Sequence, residues 1–238
     1  MVAILQYAAR QLPEDGVLPE YNPEYPLMPQ TGLHSNLSSA ILVLTLLFSS
    51  STLASLTPVL PSPGNEPDLA GTGGLLDHFF GLDNLVRVDD TLDQYWKNDG
   101  HVTVKTLAKW AGFRQSLGII DDEGDFTSLF QVNNRRSLPA ASFDIAASGT
   151  RFRFGLDPSG SPLWSSKAAD NSDGLDHMVT WQITAHQNAQ LVGAYVIAWE
   201  DLVGGGDHDY NDLILLVKGG ISTLPDPSAQ VVPVPAAT

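Results

Sequence analysis

Between residues 200 and 212 the chain gathers more oxygen-bearing side chains than a turn requires. Glu200-Asp201 is followed by Gly204-Gly205-Gly206-Asp207-His208-Asp209-Tyr210-Asn211-Asp212. Asp207, Asp209 and Asn211 stand two apart, so in a loop their oxygens can be aimed at one centre. The three glycines accept positive φ and let the backbone bend tightly. Carboxylates and amides in this arrangement suit a hard cation, since Ca2+ takes about six to eight oxygen ligands at roughly 2.3–2.6 Å. Without a cation, carboxylates this close repel and raise one another's pKa values. The competing reading is a solvated acidic turn whose carboxylates accept turn N–H groups.

A second cluster, Asp170-Asn171-Ser172-Asp173-Gly174-Leu175-Asp176, offers a second site or the remaining ligands of the first. The candidate Ca2+ ligands are therefore Asp207, Asp209, Asn211 and Asp212, with Glu200 or Asp201 brought close by pairing of the strands on either side of the loop, and Asp170, Asp173 and Asp176 from the second cluster. A helix–loop–helix calcium loop does not fit. Counted from Asp207, its sixth position is Asp212 rather than Gly and its twelfth is Lys218 rather than Glu. The turn Asp121-Asp122-Glu123-Gly124-Asp125 reads as plain surface.

Other chemistries find less support. The sequence has no G-x-S-x-G elbow, no Gly-rich phosphate loop ending in Gly-Lys-Ser/Thr and no H-E-x-x-H pair. The absence of cysteine excludes disulfides, thiolate zinc sites and a cysteine nucleophile. Glu200 and Asp201 are adjacent, so in an extended strand they would point to opposite faces and would not form a glycosidase pair. His208 reads as a solvent-facing turn residue. Trp164, Trp181 and Trp199 could line a sugar platform, but Trp181 and Trp199 fall within predicted strands and read as core. Tyr95-Trp96 is the more exposed-looking aromatic pair.

The elements that must position the acidic loops are short. Val102 and Val104 alternate with polar residues, and apolar runs follow at 117–120, 126–130, 151–154, 177–184, 191–199 and 213–217, separated by Gly/Asp/Pro turns. Runs of this length, rich in Val, Ile, Phe and Trp, predict an all-β fold, an antiparallel β-sandwich or jelly-roll-like domain over 75–218. Nothing between them is long enough for βαβ crossovers. One weak helical pattern covers 91–97, before Asn98-Asp99-Gly100.

Flanking this domain, residues 40–48 read AILVLTLLF, an apolar run too short to span a bilayer, which needs about 20 residues. Thr52-Leu53-Ala54 behind it fits a small-x-small cleavage pattern. Residues 1–54 are thus expected to be a signal region cleaved after Ala54, and initiation at Met28 would give it the usual length. The mature chain is expected to have no membrane span and to be secreted or held at the cell surface, on the periplasmic or outer-membrane side. Residues 55–74, with four prolines, read as a linker, and 219–238 as a Pro-rich tail. The whole chain carries 12 basic and 27 acidic residues, a net charge of −15, which argues against nucleic acid and against attraction to anionic lipid.

The 199–217 stretch resembles the end of the bacterial family catalogued as domain of unknown function 4114 (DUF4114). The resemblance rests on Trp199-Glu200-Asp201-Leu202, the Gly204–Asp212 loop and the apolar strand after it. Phe152-x-Phe154-Gly155-Leu156 and Asp173-Gly174-Leu175-Asp176-His177 extend it to about 145–218. It implies a secreted β-rich module, often attached to larger surface proteins, with no established enzymatic activity. Val232-Pro233-Val234-Pro235-Ala236-Ala237 resembles the opening of an exosortase (PEP-CTERM-like) sorting signal, without the apolar helix and basic end that follow in such signals. The sequence thus predicts a non-enzymatic, Ca2+-stabilised β-sandwich, a structural or adhesive module of the cell surface or extracellular matrix. Its partner would be a surface polysaccharide or matrix protein. The alternative is a carbohydrate-binding module using Trp164 or Trp96; a hydrolase is a distant third.

Overall fold

Residues 195–199 are buried at all five positions, and their side chains alternate between two separate cores. Val196 and Ala198 enter one core, while Tyr195, Ile197 and Trp199 enter the other. Only a strand covered on both faces produces this, because successive side chains of an extended chain point in opposite directions.

The computed structural model describes residues 56–136, 138–143 and 151–227. The signal-like segment 1–54 and the sorting-like motif at 232–237 lie outside the described residues. The strands are β1 (Leu85–Arg87), β2 (Tyr95–Ala108), β3 (Gln115–Ile120), β4 (Phe126–Val132), β5 (Ala140–Phe143), β6 (Arg151–Pro158), β7 (Trp164–Ser165), β8 (Met178–Ile183), β9 (Tyr195–Trp199) and β10 (Leu213–Leu224). Every pairing among them is antiparallel. The order is β1-β8-β9-β10-β2-β6-β3-β4, with β5 beside β2 and β7 beside β6. At the β2–β6 junction only Trp96↔Phe152 and Lys97↔Arg151 pair. Beyond it the two halves pack face to face, and Trp96, Leu117, Phe152, Phe154, Trp164 and Trp199 fill the space between them. This is the β-sandwich expected from the short apolar runs. Among the described residues, no helix is long and apolar enough to cross a membrane.

The second core lies on the outer face of the β8-β9-β10 sheet, where the helix α1 (Leu75–Phe80) covers it with Leu75, Leu76, Phe79 and Phe80. At ~1.5–3 kcal/mol for each large apolar side chain buried, four such residues on a six-residue helix outweigh its poor intrinsic stability.

Three expectations are corrected here. Residues 56–74 are no tether: Leu69 is fully buried in the outer core, and Leu60 N–H donates to His208 O at 2.9 Å. The weak helix at 91–97 is absent, because β2 begins at Tyr95 and runs through Asn98-Asp99-Gly100 without a reverse turn. Buried Asn98 accepts from Gly100 N–H, and a register shift between Gly219 and Ile221 on β10 absorbs the irregularity. The tail does not start at 219 either. Residues 219–224 continue β10, pairing with β2 from Val102 back to Tyr95. A side chain at Gly219, where φ is 118°, would strike the His101 carbonyl, so that close strand crossing needs glycine.

Candidate functional site

Glu200 and Asp201 leave the end of β9, and Asp212 precedes β10, the strand paired with it; Leu213↔Trp199 is the last rung between them. Pairing therefore brings the two ends of the 200–212 loop together. Asp201 N–H donates to Asp212 Oδ2 at 2.8 Å, and Asp212 O accepts from Trp110 N–H at 3.2 Å. Asp201 is fixed further by Gln115 Nε2, 2.7 Å from its Oδ2, and by Trp164 Nε1, 3.0 Å from its carbonyl. The expectation that Glu200 and Asp201 diverge holds only for extended chain. Past the strand end, one oxygen each of Glu200, Asp201 and Asp212 lies within 4.8 Å of the others.

Glu200 belongs to a second group as well, with Asp207 and Asp209, again within 4.8 Å. The loop reaches this shape through an alternation of backbone states. Gly204, Gly205, Gly206, His208 and Tyr210 have φ of 77°, 76°, 50°, 61° and 56°. Left-handed His208 and Tyr210 each cost roughly 1–2 kcal/mol. Burial of Tyr210, whose hydroxyl donates to Asp176 O at 2.7 Å, and the His208 N–H bond to Gly205 O at 2.8 Å oppose that cost. His208 is half-buried against Gly205 rather than fully facing solvent.

Two acidic clusters that could coordinate a metal ion thus share Glu200, which is only 1% exposed. Burial pushes its carboxyl up to about 10; Asp212, by charge and hydrogen bond, adds to this, followed by Asp207 and Asp209. Burial likewise pushes Asp212 up to about 7, with Asp201 contributing. Asp201 and Asp209 are also raised, chiefly by burial. Lys109 is drawn toward Asp201 and Asp212, but burial lowers its pKa, and its ammonium donates to the carbonyls of Ala111 and Phe113. Two carboxylates ~4.8 Å apart repel by roughly 3–4 kcal/mol at an effective dielectric near 20, so neither group holds its full charge without compensation. A hard cation fits this donor set. Glu200 Oε2 and Asn211 Oδ1 are buried and accept no hydrogen bond within the described residues, and every donor is an oxygen. Asn211 is held by its amide, which donates to Ser62 Oγ, Pro67 O and Asp209 Oδ2 at 3.0, 3.2 and 2.8 Å.

The 170–176 cluster does not join this site. Asp170 is ion-paired with Arg153, and Lys167 Nζ lies 3.7 Å away. Asp173 accepts from Gly204 N–H at 2.8 Å and faces His177 Nε2 at 3.0 Å. Burial would raise Asp173, but hydrogen bonds from Gly204, Leu175 and His177 outweigh it and hold the carboxyl below its ordinary value. Asp176 turns toward Asp90 and Asp93. His177 is the supporting residue that spacing did not reveal. Fully buried and stacked on Trp164 at 3.7 Å, its Nδ1 donates to Glu200 O at 2.8 Å. The sugar platform is also corrected: Trp96 and Trp164 are fully buried, Tyr95 nearly so, and no tryptophan offers an open face.

Residues 128–220 match the family model described as domain of unknown function (DUF4114), beginning earlier than the resemblance at 145. No curated protein matches. Solved structures similar to this chain include the C-terminal domain of BC2L-C lectin from Burkholderia cenocepacia, with 16% identity, 56% of this chain and 97% of that one covered, and a TM-score of 0.36. A Chromobacterium violaceum lectin, CV2L, in complex with alpha-methyl-fucoside shows 16% identity over 53% of this chain and 96% of its own, with a TM-score of 0.34. A high-affinity mannose-binding lectin of Ralstonia solanacearum shows 15% identity, coverage of 53% and 95%, and a TM-score of 0.34.

Proposed function

We propose that this chain is an exported, non-enzymatic β-sandwich module whose 200–212 loop binds Ca2+, and that the ion stabilises it for a structural or adhesive role at the cell surface or in extracellular matrix. One observation carries the reading: buried Glu200 sits among Asp207, Asp209, Asp201 and Asp212, and its main charged neighbours all raise its pKa. A divalent ion at Glu200 removes that repulsion and engages Glu200 Oε2 and Asn211 Oδ1. Asp207, Asp209, Asn211 and Asp212 would be ligands together with Glu200 and Asp201. Binding only the folded form adds about 2.7 kcal/mol when the ion is at 100 times Kd.

A melt in excess chelator against millimolar Ca2+ tests this. Wild type should gain roughly 5–11 °C at 2–4 °C per kcal/mol, and Asp207→Ala should lose much of the gain. Equal shifts in both proteins, or none, reduce the loop to an ordinary acidic turn.

A second reading, carbohydrate binding, is favoured by the exposure of Asp207. An ion held partly by an exposed residue would face solvent, where paired sugar hydroxyls are hard oxygen donors. Such recognition would run through the ion and loop rather than through a stacked tryptophan. Glycan-array binding that vanishes with chelator supports it; binding of no sugar under either condition leaves the structural role.

A further inference from the structure

We propose a second site for a hard divalent cation, formed by Asp93 and Asp176 with the hydroxyl of Thr180, separate from the Glu200 centre. Asp93 is fully buried, and neither of its carboxylate oxygens accepts a hydrogen bond within the described residues. Asp176 Oδ2 and Thr180 Oγ1 are buried and share that condition. Four oxygens of three side chains are thus left unserved where the 88–93 segment lies along the start of β8. There Val88 N–H donates to Thr180 O at 2.9 Å, and both Asp176 and Thr180 are near enough to act on the Asp93 carboxyl. A buried polar atom ordinarily finds a partner.

The backbone keeps Asp93 from turning out to water. Just before it, Asp90 O accepts from Gln94 Nε2 at 2.6 Å, its carboxylate pairs with Arg87 at 2.7 Å, and its other oxygen accepts from Thr57 N–H. Just after it, β2 begins with buried Tyr95 and Trp96. Asp176 is anchored too, its Oδ1 accepting from Met178 N–H at 3.0 Å and its carbonyl from the Tyr210 hydroxyl.

The charges do not balance without a further group. Arg87 is the nearby cation, and it is committed to Asp90 and lies 4.8 Å over the Trp181 ring. The charged groups facing Asp93 are therefore Asp176, Asp90 and Arg87, which leaves two negative charges in excess. Burial, then Asp176, pushes Asp93 well above the ordinary carboxylate range; the Thr180 hydroxyl offsets part of this without reaching normal hydrogen-bond geometry. A shared proton would cancel one charge and join two oxygens. A divalent cation cancels both charges and engages all four. With no sulfur or imidazole donor, the set suits Ca2+.

The full chain, dialysed against chelator and re-equilibrated with Ca2+, is assayed for bound metal by elemental analysis. The site predicts two ions per wild-type chain, one in Asp93→Asn and one in Glu200→Gln, with the remaining ion of Asp93→Asn still lost on adding Glu200→Gln. One ion in wild type that persists in Asp93→Asn overturns the second site and leaves the first standing. No ion in wild type overturns both. If Asp93→Asn does not fold, anomalous scattering from wild-type crystals soaked in Mn2+ decides: a peak between Asp93 and Asp176 supports the site, and a peak at Glu200 alone overturns it.

Discussion

A side chain at residue 206 would fall on the carboxyl of Glu200. A Cβ built on Gly206 meets Glu200 Cδ at 2.8 Å and the Leu202 Cβ at 3.2 Å, at a φ of 50° and ψ of −123° that L-residues rarely adopt. The glycine lets the loop close directly over the buried acid.

Gly206→Ala therefore displaces Glu200 and strains the backbone. The strain costs about 1–3 kcal/mol, which lowers Tm by roughly 2–12 °C. The Ca2+-dependent part of the melting shift should shrink in the same variant. Melts with and without Ca2+ check both; an unchanged Ca2+ shift would separate Gly206 from the ion site.

Raised carboxyl pKa values give the pH dependence its sign. Asp212 titrates at about 7 and Glu200 at about 10 in the cation-free fold, against 3.8 and 4.5 ordinarily, so the folded form holds these protons more tightly than the unfolded one. Their contribution is present below the unfolded values and is lost as pH rises through 7 and onward to 10. Ca2+ needs the ionised groups, so its stabilisation should be small at pH 5 and large at pH 8. Tm against pH, with and without Ca2+, should give curves that diverge upward in pH; parallel curves would contradict this.

Asn211 ties residues 56–74 to the loop. Asn211→Ala takes one of the two donors from Pro67 O, the other being Ser62 Oγ, and removes the amide that Asp209 Oδ2 accepts from, a loss of about 1–3 kcal/mol. The neighbouring Leu60 N–H, bonded to His208 O, should then exchange with deuterium faster than in wild type. Unchanged exchange at Leu60 would show that this segment is held independently of Asn211.

Deleting residues from Gly219 onward removes half of β10 and uncovers Trp96 and Tyr95 on β2. Tm should fall by more than about 8 °C, roughly 2–4 kcal/mol. Deletion from Pro225 onward should change it little. Equal melts for the two truncations would mean that the 219–224 rungs contribute nothing.

The sequence made the sandwich legible because β3, β8 and β9 carry short apolar runs that strands of a covered sheet explain. It also exposed the 207–212 oxygens, whose spacing of two survives in the fold. The approach of Glu200 or Asp201 to Asp212 was legible too, since it follows from pairing of the strands that flank the loop. That both carboxylates reach Asp212 was not, because it depends on the chain leaving extended geometry at residue 200. Asp93 gave no signal, because its acidic neighbours in sequence, Asp89 and Asp90, form no ligand-like spacing with it and it meets Asp176 only through tertiary packing. Residues 56–74 misled for a related reason. Their prolines and glycines describe irregular backbone, and irregular backbone can be packed as firmly as a strand when Leu69 anchors it. Trp96 looked exposed beside polar neighbours, yet β2 turns that face inward.

The central claim is that Glu200 organises a Ca2+ site. Isothermal titration of the chelator-dialysed full chain with Ca2+ tests it most directly, comparing wild type with Glu200→Gln, which keeps the side chain's shape and removes its charge. The predicted result is saturable binding in wild type with one binding event missing in Glu200→Gln. Identical isotherms, or no binding heat in wild type confirmed by an unchanged melting temperature, would contradict it.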